Sequence, residues 1–335
     1  VDAIASGTRL ILLGDPDQLP SVEAGDVLSA ILRASGDGTG TRADDAQALH
    51  GLLAAPTLQP QAVPRAFAGR RVQLQRGYRQ SDALQLAPLA HAVREGDSRT
   101  ALALLRGGSL SGVSFHENDA DPLRGQREHL LSHWRALAEA EDPGRALQQA
   151  GRLRVLTALR EGPQGARGLN SRIEQLLAGN TPGYFQGRLL LVTENSYRHR
   201  LFNGDIGICL RDPSGAMVAW FPGDTAEQPR AFHPAALPAH ESAFAMTVHK
   251  AQGSEFDEVW LQLPRQDSRV LSRELVYTGL TRARQRLHVA GSEEVLVAAL
   301  KRHASRLGGL AWRLGAEEGD EAPASSEQPT VPGTL

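Results

Sequence analysis

Between Ala245 and Phe256 the chain reads Ala-Met-Thr-Val-His-Lys-Ala-Gln-Gly-Ser-Glu-Phe. The nine residues from Thr247 to Glu255 offer a hydroxyl, an imidazole, an ammonium, an amide and a carboxylate. That set suits phosphates and a ribose. Thr247 can hydrogen-bond a nucleic-acid phosphate, and Gly253 lets the backbone approach it closely. Glu255 can accept from a ribose hydroxyl, and His249 and Lys250 sit between them. Three other stretches carry similar chemistry. Gly14-Asp15-Pro16-Asp17-Gln18 puts an amide at the end of an apolar run, where it can touch a terminal phosphate or an attacking water. Tyr78-Arg79-Gln80 puts an arginine just before a helix cap, as an arginine finger would be. Tyr277-Thr278-Gly279-Leu280-Thr281-Arg282-Ala283-Arg284 reads as helix, with Arg282 four residues after Thr278 on one face. Taken singly, these are ordinary polar turns and solvated charges; together they describe a site.

The elements that must position these residues follow from apolar spacing. Phe244 to Val248 and Phe256 to Leu263 read as buried strands flanking the polar corner, and ligands of α/β proteins gather at the carboxyl ends of such strands. Arg9 to Leu13 reads as a buried parallel strand leading to Gln18. A helix capped by Ser21 follows, and a surface excursion with one short helix near 44–53 occupies residues 35–70. Val72 to Leu74 reads as a strand. Helices are expected from Ser81–Asp82 to Val93, over 98–105, and as one amphipathic helix over 122–140. Leu153 to Leu159 is strand-like and leads through a turn into a helix carrying Leu169 and Ile173. From about Tyr184 short strands (188–192, 205–210, 216–221, 230–233) alternate with Asn-Gly and Pro-Gly turns, the texture of a small β-barrel or sandwich. A helix over 273–284, a strand over 286–290 and a helix capped by Ser292 close the pattern.

Composition bounds the classes. The 335 residues, 41% hydrophobic and 22% charged, fit a globular protein of two or three domains. No apolar run approaches the roughly 20 residues needed to span a bilayer, and no signal peptide is expected. The single cysteine, Cys209, excludes an internal disulfide framework and reads as a small buried strand residue. A net charge of −2 neither announces a nucleic-acid binder nor argues against one, since a local groove can be basic on a neutral protein.

In order along the chain, the four stretches resemble motifs III, IV, V and VI of superfamily 1 helicases. They take the form found in the RecD branch, the α subunits of exodeoxyribonuclease V. The resemblance rests on residues 12–25 (Leu-Leu-Gly-Asp-Pro-Asp-Gln-Leu-Pro-Ser-Val-Glu-Ala-Gly), 156–175, 202–207 (Phe-Asn-Gly-Asp-Ile-Gly), 246–257 and 273–284. It implies an α/β fold of RecA-like P-loop NTPase motor domains, with ATP between two of them. Residues 1–75 would end the first motor domain and 76–183 begin the second. Residues 184–240 would be an inserted SH3-like β subdomain, 241–314 the rest of the second domain, and 315–335 a disordered acidic tail. Gln18, Arg79 and Arg282 would reach the γ-phosphate and act in catalysis, and Glu255 would contact the nucleotide sugar. Thr157, Thr247 and His249 would meet DNA. The implied cofactors are ATP and Mg²⁺, and the implied partners are a 5′-ended DNA single strand with RecB-like and RecC-like subunits, in the cytoplasm.

Neither lysine, Lys250 or Lys301, lies in a Gly-x-x-x-x-Gly-Lys-Ser/Thr loop, and no Asp-Glu pair precedes Gly14. The phosphate cradle and the Mg²⁺ ligands are therefore expected before Val1, and no ATPase activity is expected from these residues alone. Two alternatives stay open: a stand-alone RecD-like or conjugative relaxase–helicase, and a non-catalytic DNA-binding or scaffold subunit.

Overall fold

The computed structural model describes residues 4–5, 7–20, 26–35, 42–49, 67, 70–72, 83–179, 183–225, 228–304 and 308–315. The chain forms two compact units, one of Val1–Pro16, Pro20–Arg76 and Ser305–Leu335, the other of Asp17–Leu19 and Gly77–Ala304. In chain order the elements are α1 (Val27–Ala34), α2 (Ala43–Leu49), α3 (Ala87–Arg94), α4 (Ser98–Gly107), β1 (Val113–Glu117), α5 (Pro122–Gly125), α6 (Arg127–Ala138), α7 (Pro143–Ala150), β2 (Leu153–Thr157) and α8 (Ala166–Ala178). They continue with β3 (Leu189–Val192), β4 (Ile206–Arg211), β5 (Met217–Phe221), β6 (Arg230–Phe232), β7 (His240–Ser242), β8 (Ala245–Thr247), β9 (Phe256–Gln262), α9 (Arg273–Leu280), β10 (Ala283–Gly291), α10 (Glu293–Lys301) and α11 (Leu310–Arg313).

In the first unit, α1 packs on α11. Asp26 caps α1, its carboxylate accepting from the Ser29 N–H. The expected strand at Arg9–Leu13 does not form: these residues belong to no element, and Leu13 is 90% exposed. Four apolar residues, Leu10 to Leu13, make a buried strand only when a neighbouring strand pairs with them, and among the described residues none does. The strand expected at 72–74, the Ser21 cap and the start of the helix expected from Ser81 fall wholly or partly on residues outside the described ones, as does the tail beyond Gly315.

The second unit is built on a five-stranded parallel sheet of order β1-β10-β9-β2-β8. β2 is buried at every position and β9 at nearly every one, as strands covered on both faces must be. Trp260, Leu156 and Val289 join Leu89 and Leu131 of the helices in its core. Helix α9 seats closely on β9, since a Cβ on Gly279 would stand 2.9 Å from a Leu261 methyl. The amphipathic stretch 122–140 is two helices, broken at Gln126 (φ −118°, ψ 22°). Helix α3 starts at Ala87, where Pro88 fits the first turn. Strands β1 and β7 and helix α7 are additions to the sequence reading.

The β-rich segment forms an antiparallel sheet of order β6-β5-β4-β3-β7. Strand alternation divides its residues between two cores. Leu189, Leu191, Ile208 and Leu210 face the main core, whereas Leu190, Val192 and Cys209 join Leu201, Ala219 and Phe221 in a small separate one. Glycine is required at Gly207, where a Cβ would stand 2.6 Å from the Phe221 ring. Cys209 is fully buried, and burial pushes its thiol up to about 12.

Candidate functional site

All five strands of the main sheet run the same way, so its two edges are chemically distinct. Register places Thr157, Thr247 and Gln262 level with one another at the carboxyl edge. Phe256 and Ala283 pair at the amino edge. Because β2 separates β8 from β9, the link 248–255 must return from the carboxyl edge to the amino edge. The polar corner is therefore a crossover, not a cluster at strand carboxyl ends as the sequence pattern implied. Gly253, at φ 81°, takes the left-handed conformation that lets the link turn into β9.

At the start of β8, Asn170 of α8 makes a clamp. Its Nδ2 donates to the carbonyls of Ser242 and Ala245, each at 2.8 Å, and its Oδ1 accepts from the Ala245 N–H at 2.8 Å. Strand β8, and with it Thr247, is thereby fixed to the helix. The Val248 N–H donates to the Thr157 carbonyl at 2.9 Å. Thr247 is 9% exposed, and the Lys250 N–H points at its Oγ1 at 3.4 Å. Thr157 is wholly buried and donates its hydroxyl to the Leu159 carbonyl at 2.8 Å. That geometry shapes the turn after β2 and leaves the hydroxyl facing inward, unlike the outward phosphate contact expected of it. His249 and Lys250 are half-buried, and Lys250 Nζ donates to Glu241 Oε1 at 2.5 Å.

The amino edge is dense with charge. Helix α9 ends at Leu280, four residues earlier than its pattern implied, so Arg282 lies in the turn before β10. The sheet sets that end, because the Phe256 N–H donates to the Arg282 carbonyl at 2.9 Å and draws the chain into β10. Arg282 is 3% exposed, and its guanidinium is held on several sides. Nε donates to the Thr278 carbonyl at 3.2 Å, Nη1 to the Ser254 carbonyl at 3.1 Å and Nη2 to Gln18 Oε1 at 3.1 Å. The segment carrying Gln18 is tied to the same elements. The Leu19 N–H donates to Thr278 Oγ1 at 2.8 Å, and Gln252 Nε2 donates to the Leu19 carbonyl at 2.8 Å. Glu255 accepts from Arg284 Nε at 3.0 Å.

The structure thus brings Gln18, Glu255 and Arg282 to one edge and Thr157 and Thr247 to the other, with His249 on the link between them. Arg79 lies outside the described residues. Asn170, Gln252 and Thr278 were not assigned roles from sequence. A polar residue on the apolar face of α8 was the available signal for Asn170.

The parallel sheet with helices packed on it is a RecA-like α/β fold, with an arginine and a glutamine converging at one edge. Residues 242–290 match the family described as UvrD-like helicase C-terminal domain. The family to which the chain is related over nearly all its length is that of the RecD subunits. It is 39% identical over 323 residues to the RecBCD enzyme subunit RecD of Mycobacterium tuberculosis, covering 93% of this chain and 50% of that protein. It is 32% identical to the RecD subunit of Haemophilus influenzae, over 92% of this chain and 51% of the other. The ATP-dependent RecD2 DNA helicase of Deinococcus radiodurans is 28% identical, over 94% and 37%. The chain spans about half the length of the curated RecD relatives it matches. Among solved structures, a Bacteroides Pif1 helicase in complex with ADP-AlF3 and single-stranded DNA covers 65% of this chain and 51% of its own, at 13% identity and a TM-score of 0.33.

Proposed function

We propose that this chain is the C-terminal motor portion of a RecD-type, 5′-to-3′ ATP-dependent DNA helicase subunit of exodeoxyribonuclease V. It would work in the cytoplasm with RecB-like and RecC-like partners, in double-strand-break repair and recombination. The observation that carries the reading is the contact between Arg282 and Gln18, 264 positions apart in sequence, at 3.1 Å. Two side chains independently suited to a terminal phosphate share one position. Gln18 Oε1 accepts from the guanidinium where a phosphate oxygen would accept, so nucleotide binding exchanges one acceptor for the other. Arg282 is pre-aimed by the carbonyls of Thr278 and Ser254, and that fixed geometry is what stabilises charge on a transferring phosphoryl group. Glu255 is placed to accept from the sugar, with Arg284 orienting it.

These residues fit the terminal phosphate and the ribose of ATP. They do not supply the triphosphate cradle or the Mg²⁺ carboxylates, and turnover requires both. Thr247 and His249 form the DNA-facing part, with the small antiparallel sheet helping to hold the strand. No helix among the described residues is long and apolar enough to cross a membrane.

The test is Arg282→Ala in a RecD-type protein that contains these residues and hydrolyses ATP. The expected loss of DNA-stimulated turnover is about 10³-fold or more, the usual contribution of an arginine finger, with single-strand affinity kept. Unchanged turnover would refute the role. The 335 residues alone should give no measurable DNA-stimulated ATPase.

A further inference from the structure

Five ionisable side chains that the motor reading does not use converge on one face of the parallel sheet: His116 on β1, His129 on α6, Glu258 on β9, and Arg286 and His288 on β10. Their centre is Glu258, 5% exposed. Its Oε1 lies 2.5 Å from His129 Nε2 and 3.3 Å from His288 Nε2. Arg286 Nη2 occupies the other carboxylate oxygen at 2.9 Å. The ligand-type atoms of His129, Glu258 and His288 all lie within 4.8 Å of one another.

We propose that His129 Nε2, Glu258 Oε1 and His288 Nε2 bind one divalent transition-metal ion of the Zn²⁺ type, pinning α6 to β9 and β10. Two observations point there. First, His288 Nε2 is buried and, although 3.3 Å from Glu258 Oε1, is out of line for a hydrogen bond with it or any other group. The two atoms stand as neighbouring ligands of one ion do, not as donor and acceptor. Second, the other nitrogen of that ring is already engaged: His288 Nδ1 lies 3.1 Å from His116 Nε2. With the His288 proton on Nδ1, the Nε2 lone pair faces the carboxylate with no hydrogen between them. A cation resolves that arrangement, and a second-shell hydrogen bond on the remote nitrogen is the usual way a ligating histidine is oriented. The Trp260 ring, stacked at 5.3 Å on His288, restricts its rotation further.

The donor set is right for this class of ion. Two imidazoles and one carboxylate, with a position left for water, suit Zn²⁺, Co²⁺ or Ni²⁺ rather than the all-oxygen preference of Mg²⁺ and Ca²⁺. Ligands at ~2.1 Å from a metal lie at most ~4.2 Å apart. His129 Nε2 and Glu258 Oε1, at 2.5 Å, stand closer than two ligands of one tetrahedral ion, and His129, with its side chain 44% exposed on the outer turn of α6, is free to draw back.

The experiment is equilibrium dialysis and calorimetric titration of the EDTA-treated 335-residue chain with Zn²⁺, alongside His129→Ala and, as a control, His91→Ala. The expected result is one Zn²⁺ per chain, with affinity at least about 10-fold weaker in H129A and unchanged in H91A. Co²⁺ should give a visible absorption band of low-coordinate N/O ligation on the wild-type chain. That reading needs no variant to fold. Absence of stoichiometric Zn²⁺ binding, absence of the Co²⁺ band, or equal affinity in H129A would each overturn the site.

Discussion

The two edges of the parallel sheet are held by different sets of contacts. The carboxyl edge combines neutral groups, threonine hydroxyls and main-chain N–H and C=O, with the Lys250–Glu241 ion pair. The amino edge is assembled from guanidinium and carboxylate groups. Eight residues, 248–255, join them. On the proposed reading, Thr247 would touch a uniform phosphate backbone and release it again. Charged groups held by main-chain carbonyls are suited to one compact anion. The contrast teaches that a motif contiguous in sequence need not be one site in space, since the corner 247–255 serves one edge with its first residue and the other edge with its last.

The largest stability effect should come from the clamp on β8. Asn170→Ala strips three buried hydrogen bonds and leaves main-chain groups of Ser242 and Ala245 unpaired. A cost of about 2–4 kcal/mol is expected, read as a fall in the urea midpoint, with Thr247 released in hydrogen exchange. Next is Gly279→Ala, whose new methyl crowds Leu261 at 2.9 Å. About 1–3 kcal/mol, with turnover lost before folding is, would show that α9 positions the amino edge. A small effect on both would mean that α9 can shift without consequence.

A pH dependence at α9 is weaker but distinctive. Burial pushes Glu274 up, but hydrogen bonds from His303 and the Ala304 N–H outweigh it and hold the carboxyl at about 2, against 4.5 for a free one. A depressed folded-state value means stability that is fully present above the unfolded value and is lost as pH falls from about 4.5 toward 2. Thermal melts of Glu274→Gln should be flatter across that window than those of the parent chain. The smallest effect is Arg284→Ala. Its ion pair with Glu255 is half-exposed and should contribute under about 1 kcal/mol, while nucleotide affinity falls through the disordered Glu255.

Much of this was legible in the sequence. The apolar runs at 153–157 and 256–262 and the turn-punctuated strands from 188 to 232 appear as elements, because burial on both faces or strict alternation leaves few other solutions. Helix α7 was missed although its start is written in Asp142-Pro143, an N-cap followed by proline. What could not be read was anything decided by a distant partner. Arg282 looked helical because its local spacing is helical, and only the hydrogen bond to Phe256 takes it out of the helix. Leu10 to Leu13 looked buried because they are apolar, but burial belongs to whatever pairs with them. The His129–Glu258–His288 group is invisible in sequence, since its members are 129 and 30 positions apart and meet only through sheet register.

The division of labour between the edges is tested most directly by single-stranded DNA affinity, measured by fluorescence anisotropy on Thr247→Val and Arg282→Ala. Losing one phosphate hydrogen bond of about 1 kcal/mol should weaken binding about 5-fold in T247V, with R282A within about 2-fold of the parent. Equal weakening in both, or weakening in R282A alone, would contradict the account.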